Sequence, residues 1–553
     1  MTEKECIELA DLLYPNVKNI DYYLKKYKPR DNVLGEVTRL GPSPTGYLHI
    51  GQLYQSLVHR SLADKTNGVF YLRLEDTDGK REIDNAGTIA YEMLKYYNLT
   101  PDEGYRGKDE ELGDYGPYMQ SNRTEIYHSF AHELVKRGKA FPCFCKAAKD
   151  KEEIEKRRDE ELEQTSELKL HDPCRNLTLN EIKEKLKNNL PFALRLRSMG
   201  DSNCTHKFND IIKGEKDLRE NSRDDVLIKS NGVPVYAFAH VVDDTLMRTT
   251  IIVRGQEWYQ SLPVHIEISK AFGFEPFRYA HTPNICILDE NGNKRKISKR
   301  KDAFADVRFF MKRGYPINAI LEYLMTLLNS DFELWRKNNP HKSYKEFPFE
   351  IKKIGVTNPI FDFLKLNDIS KTIISKFSAE ELYINLLAWA TDWNKESVDI
   401  IEDNKKNLID VLSINRGGER PRKDITVYSE ILELYNYVLP NFKPKYQFDL
   451  GLVNKQKLIE FLIDYKDNYI EAVDNQTWFE NLKNLASKYG FVDNKTYKQN
   501  PNDYSGNVAD ASKYVRLAIT DRIESPELYS IMKIVGLNEC KNRINNLIEV
   551  LKK

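Results

Sequence analysis

The stretch from Val37 to Asn67 constrains this chain more than any other. Val37–Leu40 reads as a strand, Gly41-Pro42-Ser43-Pro44-Thr45-Gly46 as a turn, and the residues from His49 as a helix with Leu53, Leu57, Val58 and Leu62 at helical spacing. A strand that feeds a helix N-terminus presents free backbone N–H groups at the positive end of the helix dipole, a ready place for phosphate. Gly51 carries no side chain where a nucleotide can lie against backbone. His49 is a candidate donor to phosphate oxygens as charge builds on them. The bland alternative is an ordinary strand-to-helix turn with a packed histidine. The next apolar run, Gly68–Leu74, completes a βαβ beginning, so a parallel sheet with crossover helices is expected. In such sheets ligands sit beyond the C-terminal strand ends, where both the 41–52 turn and Glu75-Asp76-Thr77-Asp78 fall. Glu75 is placed there to receive an ammonium group; Asp76 and Asp78 read as helix caps.

At 553 residues the chain is too long for one core and is expected to split into about three to five domains. Lys+Arg and Asp+Glu are both 84, so net charge neither supports nor excludes a nucleic-acid partner. No run reaches the roughly 18 apolar residues of a membrane helix. The first residues are acidic and lack a basic-then-apolar signal pattern. Seven unevenly spaced cysteines do not form a disulfide framework. A cytoplasmic location with reduced thiols is the expectation.

Along the chain, residues 1–34 suggest one or two short packing helices. A helix of about 15 residues ends near Gly138, with Ser121 or Asn122 as its cap. Cys143 and Cys145 precede a highly charged stretch that reads as a solvated face; His171 and Cys174 follow it. Three sulfurs and one nitrogen suit tetrahedral zinc, and four reduced residues in a surface insert are the alternative. Phe192–Arg197 alternates as a strand, and Thr250–Gly255 is a strong core strand. Arg254 at the end of that strand is a candidate carboxylate clamp, with a surface ion pair as the alternative. Trp258, one turn on, is placed to wall the same pocket. The segment Gly292–Asp302 is dense in cations. Lys296 and Lys299 can neutralise charge as pyrophosphate leaves; a generic RNA-backbone loop is the alternative. After Phe304 the chain reads as all-α, with helical spacing over Ile317–Leu328, Ala379–Ala390, Ile425–Tyr437, Gln456–Ala472 and near Lys541–Leu551. Gly417–Lys423 is a basic turn within that half.

Together these clusters resemble a class I aminoacyl-tRNA synthetase, specifically the bacterial type of glutamyl-tRNA synthetase. Arg39–Gly51 is similar to that family's opening signature, and Lys296-Ile297-Ser298-Lys299-Arg300 to its mobile lysine loop. Leu72–Asp78, Val241–Asp244, Arg254–Trp258 and Val515–Gly536 match as well. The resemblance implies an α/β chain: a Rossmann-like parallel-sheet domain with an inserted acceptor-binding subdomain, followed by an all-α anticodon-binding half. The implied divisions are 1–34 (helical extension), 35–134 and 206–305 (the catalytic domain), 135–205 (the insert), 306–378 (stem contact) and 379–553 (anticodon binding). It implies ATP-dependent activation of L-glutamate, with Mg²⁺ accompanying the ATP, and transfer to tRNA(Glu), with tRNA(Gln) left open, by a monomer. It assigns Arg39, Gly41, Ser43, Glu75, Tyr236, Arg254 and Trp258 to glutamate, His49, Gly51, Ser298 and Lys299 to ATP, and His49, Lys296 and Lys299 to catalysis. Cys143, Cys145 and Cys174 match a structural zinc pattern carried by some members, with His171 as the fourth ligand and Asn176 where some relatives have histidine. Gly41 stands where many members have alanine, a conservative departure, and His240 occupies a variable pocket position. Rival readings are a glutaminyl-tRNA synthetase, expected to carry β-barrels after the lysine loop, a shorter tRNA-base-modifying enzyme, and a non-enzymatic tRNA-binding scaffold.

Overall fold

Val37–Leu40 (β1) and Val69–Leu72 (β2) pair in parallel, Val37 against Val69 and Leu40 against Leu72. All eight residues are buried, so each polar one must find a partner; Thr38 Oγ1 lies 2.7 Å from His59 Nδ1. In this computed structural model the described residues are 1–31, 33–44, 46–77, 85–145, 173–447, 454–468 and 472–553. Thr45, Asp78 and His171, three positions singled out above, lie outside them. The chain divides into two units, Met1–Phe309 with Ile320–Phe363, and Phe310–Ala319 with Leu364–Lys553.

In the first unit, helices Glu3–Leu13 (α1) and Ile20–Lys26 (α2) are sewn into the core. Tyr27 Oη donates to the Gly116 carbonyl at 2.9 Å, and Arg30 pairs with Glu103 at 2.7 Å. The crossover helix Ile50–Thr66 (α3) turns its Leu53, Leu57, Val58 and Leu62 inward and ends on Asn67 in the left-handed region, φ 55°. Ala86–Tyr96 (α4) leads to Glu103–Gly107 (β3), parallel to β2, and Glu110–Leu112 (β4) returns antiparallel. Thr124–Lys136 (α5) follows a 3₁₀ turn, Gln120–Arg123. Neither Ser121 nor Asn122 caps it, contrary to expectation: Arg123 holds the cap position without a side-chain bond. The reason is that Ser121 and Asn122 already lie inside the 3₁₀ turn. The Arg123 guanidinium is drawn to Asp243, and the Ser121 N–H donates to Asp76 Oδ1 at 2.8 Å. Asp76 thus serves a distant turn rather than a helix of its own.

Three antiparallel strands form the next layer: Ala140–Cys143 (β5), Ala193–Leu196 (β6) and, after a hairpin of Thr205–Asp210 (β7) with Gly214–Arg219 (β8), Val226–Ile228 (β9). Helix Tyr236–Leu246 precedes Ile251–Gly255 (β10), which pairs in parallel with Arg278–Thr282 (β11). The Thr250 N–H donates to the Val37 carbonyl at 2.9 Å, setting the start of β10 beside the start of β1. The sheet β4-β3-β2-β1 and the two-stranded sheet β10-β11 thus lie side by side with β1 next to β10, and chain order reverses there. That reversal opens a crevice beyond the strand ends. Cys286–Leu288 (β12) and Lys294–Lys296 (β13) form a hairpin leading into the cationic loop.

The second unit is helical, with Ala379–Trp393, Lys405–Ser413, Lys455–Asn468, Asn475–Ser487, Val508–Thr520 and Leu537–Lys552 around one core that includes Leu386, Leu412, Leu462 and Ile519. Its strands, among the described residues, are the two-residue pair Phe491–Val492 and Gly506–Asn507. The expected helix over Ile425–Tyr437 is instead two 3₁₀ turns around the single helical turn Ile431–Leu434. Glu430 accepts from the Thr426 N–H, and the Tyr428 N–H goes to the Gly314 carbonyl at 2.9 Å, which fixes the start of the first turn at Tyr428 with Val427 extended before it. In the basic turn, Arg422 pairs with Asp424, whereas Arg420 is exposed.

Asp243 anchors helix Tyr236–Leu246 by accepting from Arg123 Nε at 2.6 Å, Gln120 Nε2 at 2.8 Å and Tyr127 Oη at 2.8 Å, all buried. Removing it strands a guanidinium in the core. Asp243→Ala should lower stability by about 3–5 kcal/mol, read from urea unfolding of the first unit; a loss below about 1 kcal/mol would mean the network adds little.

Candidate active site

The crevice between β1 and β10 collects the residues singled out in the sequence. Arg39, third in β1, and Arg254, fourth in β10, are each 3% exposed. Their environments differ. Arg39 donates to Asp244 from Nε at 3.1 Å and from Nη2 at 3.3 Å. Asp244 also takes Arg73 Nη1 at 2.9 Å, Tyr71 Oη at 3.1 Å, Thr249 Oγ1 at 2.9 Å and His240 Nδ1. Burial opposes its charge, but Arg39 and Arg73 hold the carboxyl well below its usual range.

Arg254 meets neutral acceptors: His281 Nε2 at 3.0 Å, His265 Nδ1 at 3.2 Å, Tyr236 Oη at 3.4 Å and the Trp258 carbonyl at 3.2 Å. Burial pushes His265 and His281 below the ordinary imidazole range. Trp258 is 42% exposed and packs on Tyr236, ring centres 4.6 Å apart. His240 also stacks on Tyr236, ring centres 5.6 Å apart.

Arg73 Nη2 donates to Glu75 Oε1 at 2.9 Å. Burial raises the Glu75 pKa, while Arg73 and Arg39 work against that rise. Gly41 lies against the Glu75 carboxylate. A methyl group on it would lie 2.2 Å from Glu75 Oε1, so the carboxylate occupies the space that alanine would need. Ser43 is exposed on the turn.

The start of α3 is more closed than the sequence suggested. His49 Nδ1 accepts from the Gly51 N–H at 2.9 Å, and Gln52 Oε1 accepts from the His49 N–H at 2.9 Å. The helix N-terminus is thus capped by its own histidine, leaving Nε2 as the ring N–H. Burial, then Lys299 and Lys296, lower the His49 pKa to about 4. Lys299 Nζ donates to the Tyr47 carbonyl, and Lys296 pairs with Glu257 at 2.8 Å. Arg295 and Asp302 staple the loop with bonds of 2.7 and 2.6 Å, and the Ser298 N–H donates to Asp302 Oδ2 at 2.9 Å. His49, Gly51, Gln52, Glu257, Asn284 and Lys296 line a cavity of about 260 Å³. A larger cavity of about 420 Å³, bordered by Arg197, Phe208 and Ile266, holds none of the motif residues.

The sulfurs of Cys143, Cys145 and Cys174 lie within 4.8 Å of one another, with Cys145 and Cys174 3.7 Å apart. Thiolates bound to one zinc ion at about 2.3 Å stand roughly 3.8 Å apart, so these three residues fit such an ion.

The class I tRNA synthetase (E and Q) catalytic-domain profile matches residues 36–344. The chain is 42% identical to the glutamate–tRNA ligase of Acetivibrio thermocellus over 98% of this chain and 99% of that protein. It is 38% identical to that of Clostridium perfringens strain 13 over 97% and 99%. The chain belongs to the glutamate–tRNA ligase family. The crystal structure of the Elizabethkingia anophelis glutamate-tRNA synthetase shares its fold, with a TM-score of 0.73 at 22% identity over 93% of this chain and 100% of that one. As a glutamate–tRNA ligase, the chain carries a mixed α/β half with a parallel sheet and a helical half. No helix among its described residues is long and apolar enough to cross a membrane.

Sequence reasoning missed Asp210, His265 and His281 around Arg254, and gave Asp244 no role. Asp244 stands inside a recognised motif, which was the available signal. The other three carry none: Asp210 and His281 are 71 residues apart, and His265 stands in no motif.

His49 and His240 are held to about 4 and His59 to about 3, burial being the largest cause for each. Unfolded histidines take up protons near pH 6.5, while these stay neutral. Their contribution to stability is full above about pH 6.5 and is lost as pH falls toward 4. The urea midpoint of the first unit should therefore be lower at pH 5 than at pH 7; equal midpoints would reject neutral burial of these rings.

Proposed function

We infer that this chain activates L-glutamate with ATP to glutamyl-adenylate and transfers it to the 3′-terminal adenosine of tRNA(Glu). The observation that carries the residue-level reading is Arg254. It is a buried guanidinium whose hydrogen bonds all go to neutral acceptors, so among the described residues it lacks a negative charge in direct contact. The side-chain carboxylate of glutamate supplies that charge. A neutral amide in its place would leave the charge uncompensated, at a cost of about 3–5 kcal/mol. Glu75, oriented by Arg73, is positioned to take the substrate ammonium. Arg39, held by Asp244, gives the pocket a fixed wall with Tyr236 and Trp258, and Gly41 and Ser43 border it on the turn.

The substrate carboxylate attacks the α-phosphate and pyrophosphate leaves. The nucleophile is already ionised, so no strong base is required, and catalysis is positioning plus charge stabilisation. Triphosphate fits the cavity beside His49 and Gly51. There the His49 ring N–H and the ammonium groups of Lys296 and Lys299 meet the growing negative charge, with Ser298 in the same loop and Mg²⁺ accompanying the ATP. To do so the lysines exchange their present partners, Glu257 and the Tyr47 carbonyl, for phosphate. A ribose hydroxyl of the tRNA then attacks the mixed anhydride and AMP leaves. The divisions 135–205, 306–378 and 379–553 are assigned to acceptor end, stem and anticodon. Cys143, Cys145 and Cys174 are assigned to a structural zinc ion that would tie β5 to the 3₁₀ turn Pro173–Asn176.

Charging of purified tRNA(Glu) and tRNA(Gln) with labelled glutamate, each alone, tests the reaction and its tRNA range. Lys299→Ala should lower kcat for charging about 10²-fold with the fold retained; unchanged turnover refutes the role of the loop. Arg254→Ala should raise the glutamate KM at least tenfold more than the ATP KM. Equal changes would remove Arg254 from the amino-acid pocket.

A further inference from the structure

We propose that Asp210 and His281 act as a positioning dyad that fixes the Arg254 guanidinium through its Nε and keeps the outer face of that guanidinium open for the substrate carboxylate. The proposal rests on the reading of Arg254 given above.

The geometry is continuous from backbone to guanidinium. Arg254 and His281 are direct register partners on β10 and β11, so their side chains leave the sheet on the same face. Asp210 closes β7 at the tip of the β7–β8 hairpin. The Ile211 N–H ties that tip to β11 by donating to the Tyr279 carbonyl at 2.9 Å. The Asp210 carboxylate is fully buried and held at several points. Oδ1 accepts from the N–H groups of Ile212 at 3.0 Å and Lys213 at 2.9 Å, and Oδ2 accepts from the His281 N–H at 3.2 Å. His281 Nδ1 lies 2.6 Å from Oδ2. A carboxylate can only accept there, so the ring proton sits on Nδ1 and Nε2 carries the lone pair. That lone pair faces Arg254 Nε at 3.0 Å.

The imidazole between the two charges is the point of the arrangement. A carboxylate placed directly against Arg254 would take its Nη groups and compete with the substrate, as Asp244 takes Nε and Nη2 of Arg39. With the ring interposed, the negative charge of Asp210 reaches Arg254 through one neutral acceptor at Nε. The side facing Tyr236 and Trp258 is left to weaker bonds of 3.2–3.4 Å with neutral groups, which an incoming carboxylate can replace. Asp210 and His281 touch no substrate in this scheme.

Two variants of His281 separate positioning from packing. Glutamine places its amide where Nε2 stood and keeps an acceptor for Arg254. Asparagine reaches only the Nδ1 position and keeps the Asp210 bond alone. In tRNA-charging assays, H281Q should hold the glutamate KM within threefold of the parent, while H281N raises it at least tenfold, with the ATP KM unchanged in both. Equal glutamate KM values for the two variants would overturn the dyad. D210N is a second arm: it removes the charge and frees the tautomer, so the glutamate KM should rise at least fivefold at constant ATP KM, and no rise would overturn the dyad. Arg254→Ala run alongside keeps the two ideas apart. If it too shifts the ATP and glutamate KM equally, the placement of Arg254 fails; if it shifts glutamate alone while H281N does not, only the dyad fails.

Discussion

Two adjacent aspartates, Asp243 and Asp244, hold the first unit's polar interior together. They sit on one helix and between them accept Arg39, Arg73 and Arg123, none of which reaches solvent appreciably. With Glu75 added beside Arg73, three carboxylates face three guanidinium groups. Burying charge is tolerable only when it is paired and its remaining hydrogen bonds are met; here the charges are paired, while Arg73 Nε and Arg123 Nη2 lack a hydrogen-bond acceptor among the described residues. This balance gives the fourth guanidinium its meaning. Arg254 lies outside it and touches no carboxylate directly among the described residues, Asp210 standing behind His281, so an acidic guest can pair with its open side.

The same network explains why a strand such as β1 can carry Thr38 and Arg39 in a buried position. Each side chain is answered from another element: His59 from α3, Asp244 from the helix after β9. The sheet therefore brings together more than backbone. It aligns the ends of β1, β2 and β10 so that Arg39, Arg73 with Glu75, and Arg254 converge from three strands. The loop after β13 reaches the turn after β1 through Lys299 and the Tyr47 carbonyl.

Much of this was legible in the residues, and the reason is local. Val37–Leu40, Val69–Leu72 and Ile251–Gly255 are apolar runs flanked by turn residues, and α3 has a clear apolar stripe, so period and punctuation revealed them. The motif residues followed because they lie at the strand ends. Long-range pairing was not legible. Asp210 and His281 are 71 residues apart, and nothing in either neighbourhood marks them as a pair. Ser121 looked like a cap but lies inside the 3₁₀ turn Gln120–Arg123, its N–H on Asp76, and Ile425–Tyr437 had helical spacing but its first turn begins only at Tyr428, whose N–H goes to Gly314. In each case a tertiary hydrogen bond accompanies the departure from local preference, and sequence spacing does not encode it.

The bare Cα of Gly41 carries one more consequence. Because the Glu75 carboxylate leans into the room a methyl would fill, the identities of the two positions are not independent variables. A chain that acquires a side chain at 41 must, in the same step, find its acid another rotamer, and with it another angle of approach to the amino group it receives. A side chain at 41 would therefore act on the amino group at second hand, by turning the tip of its acid.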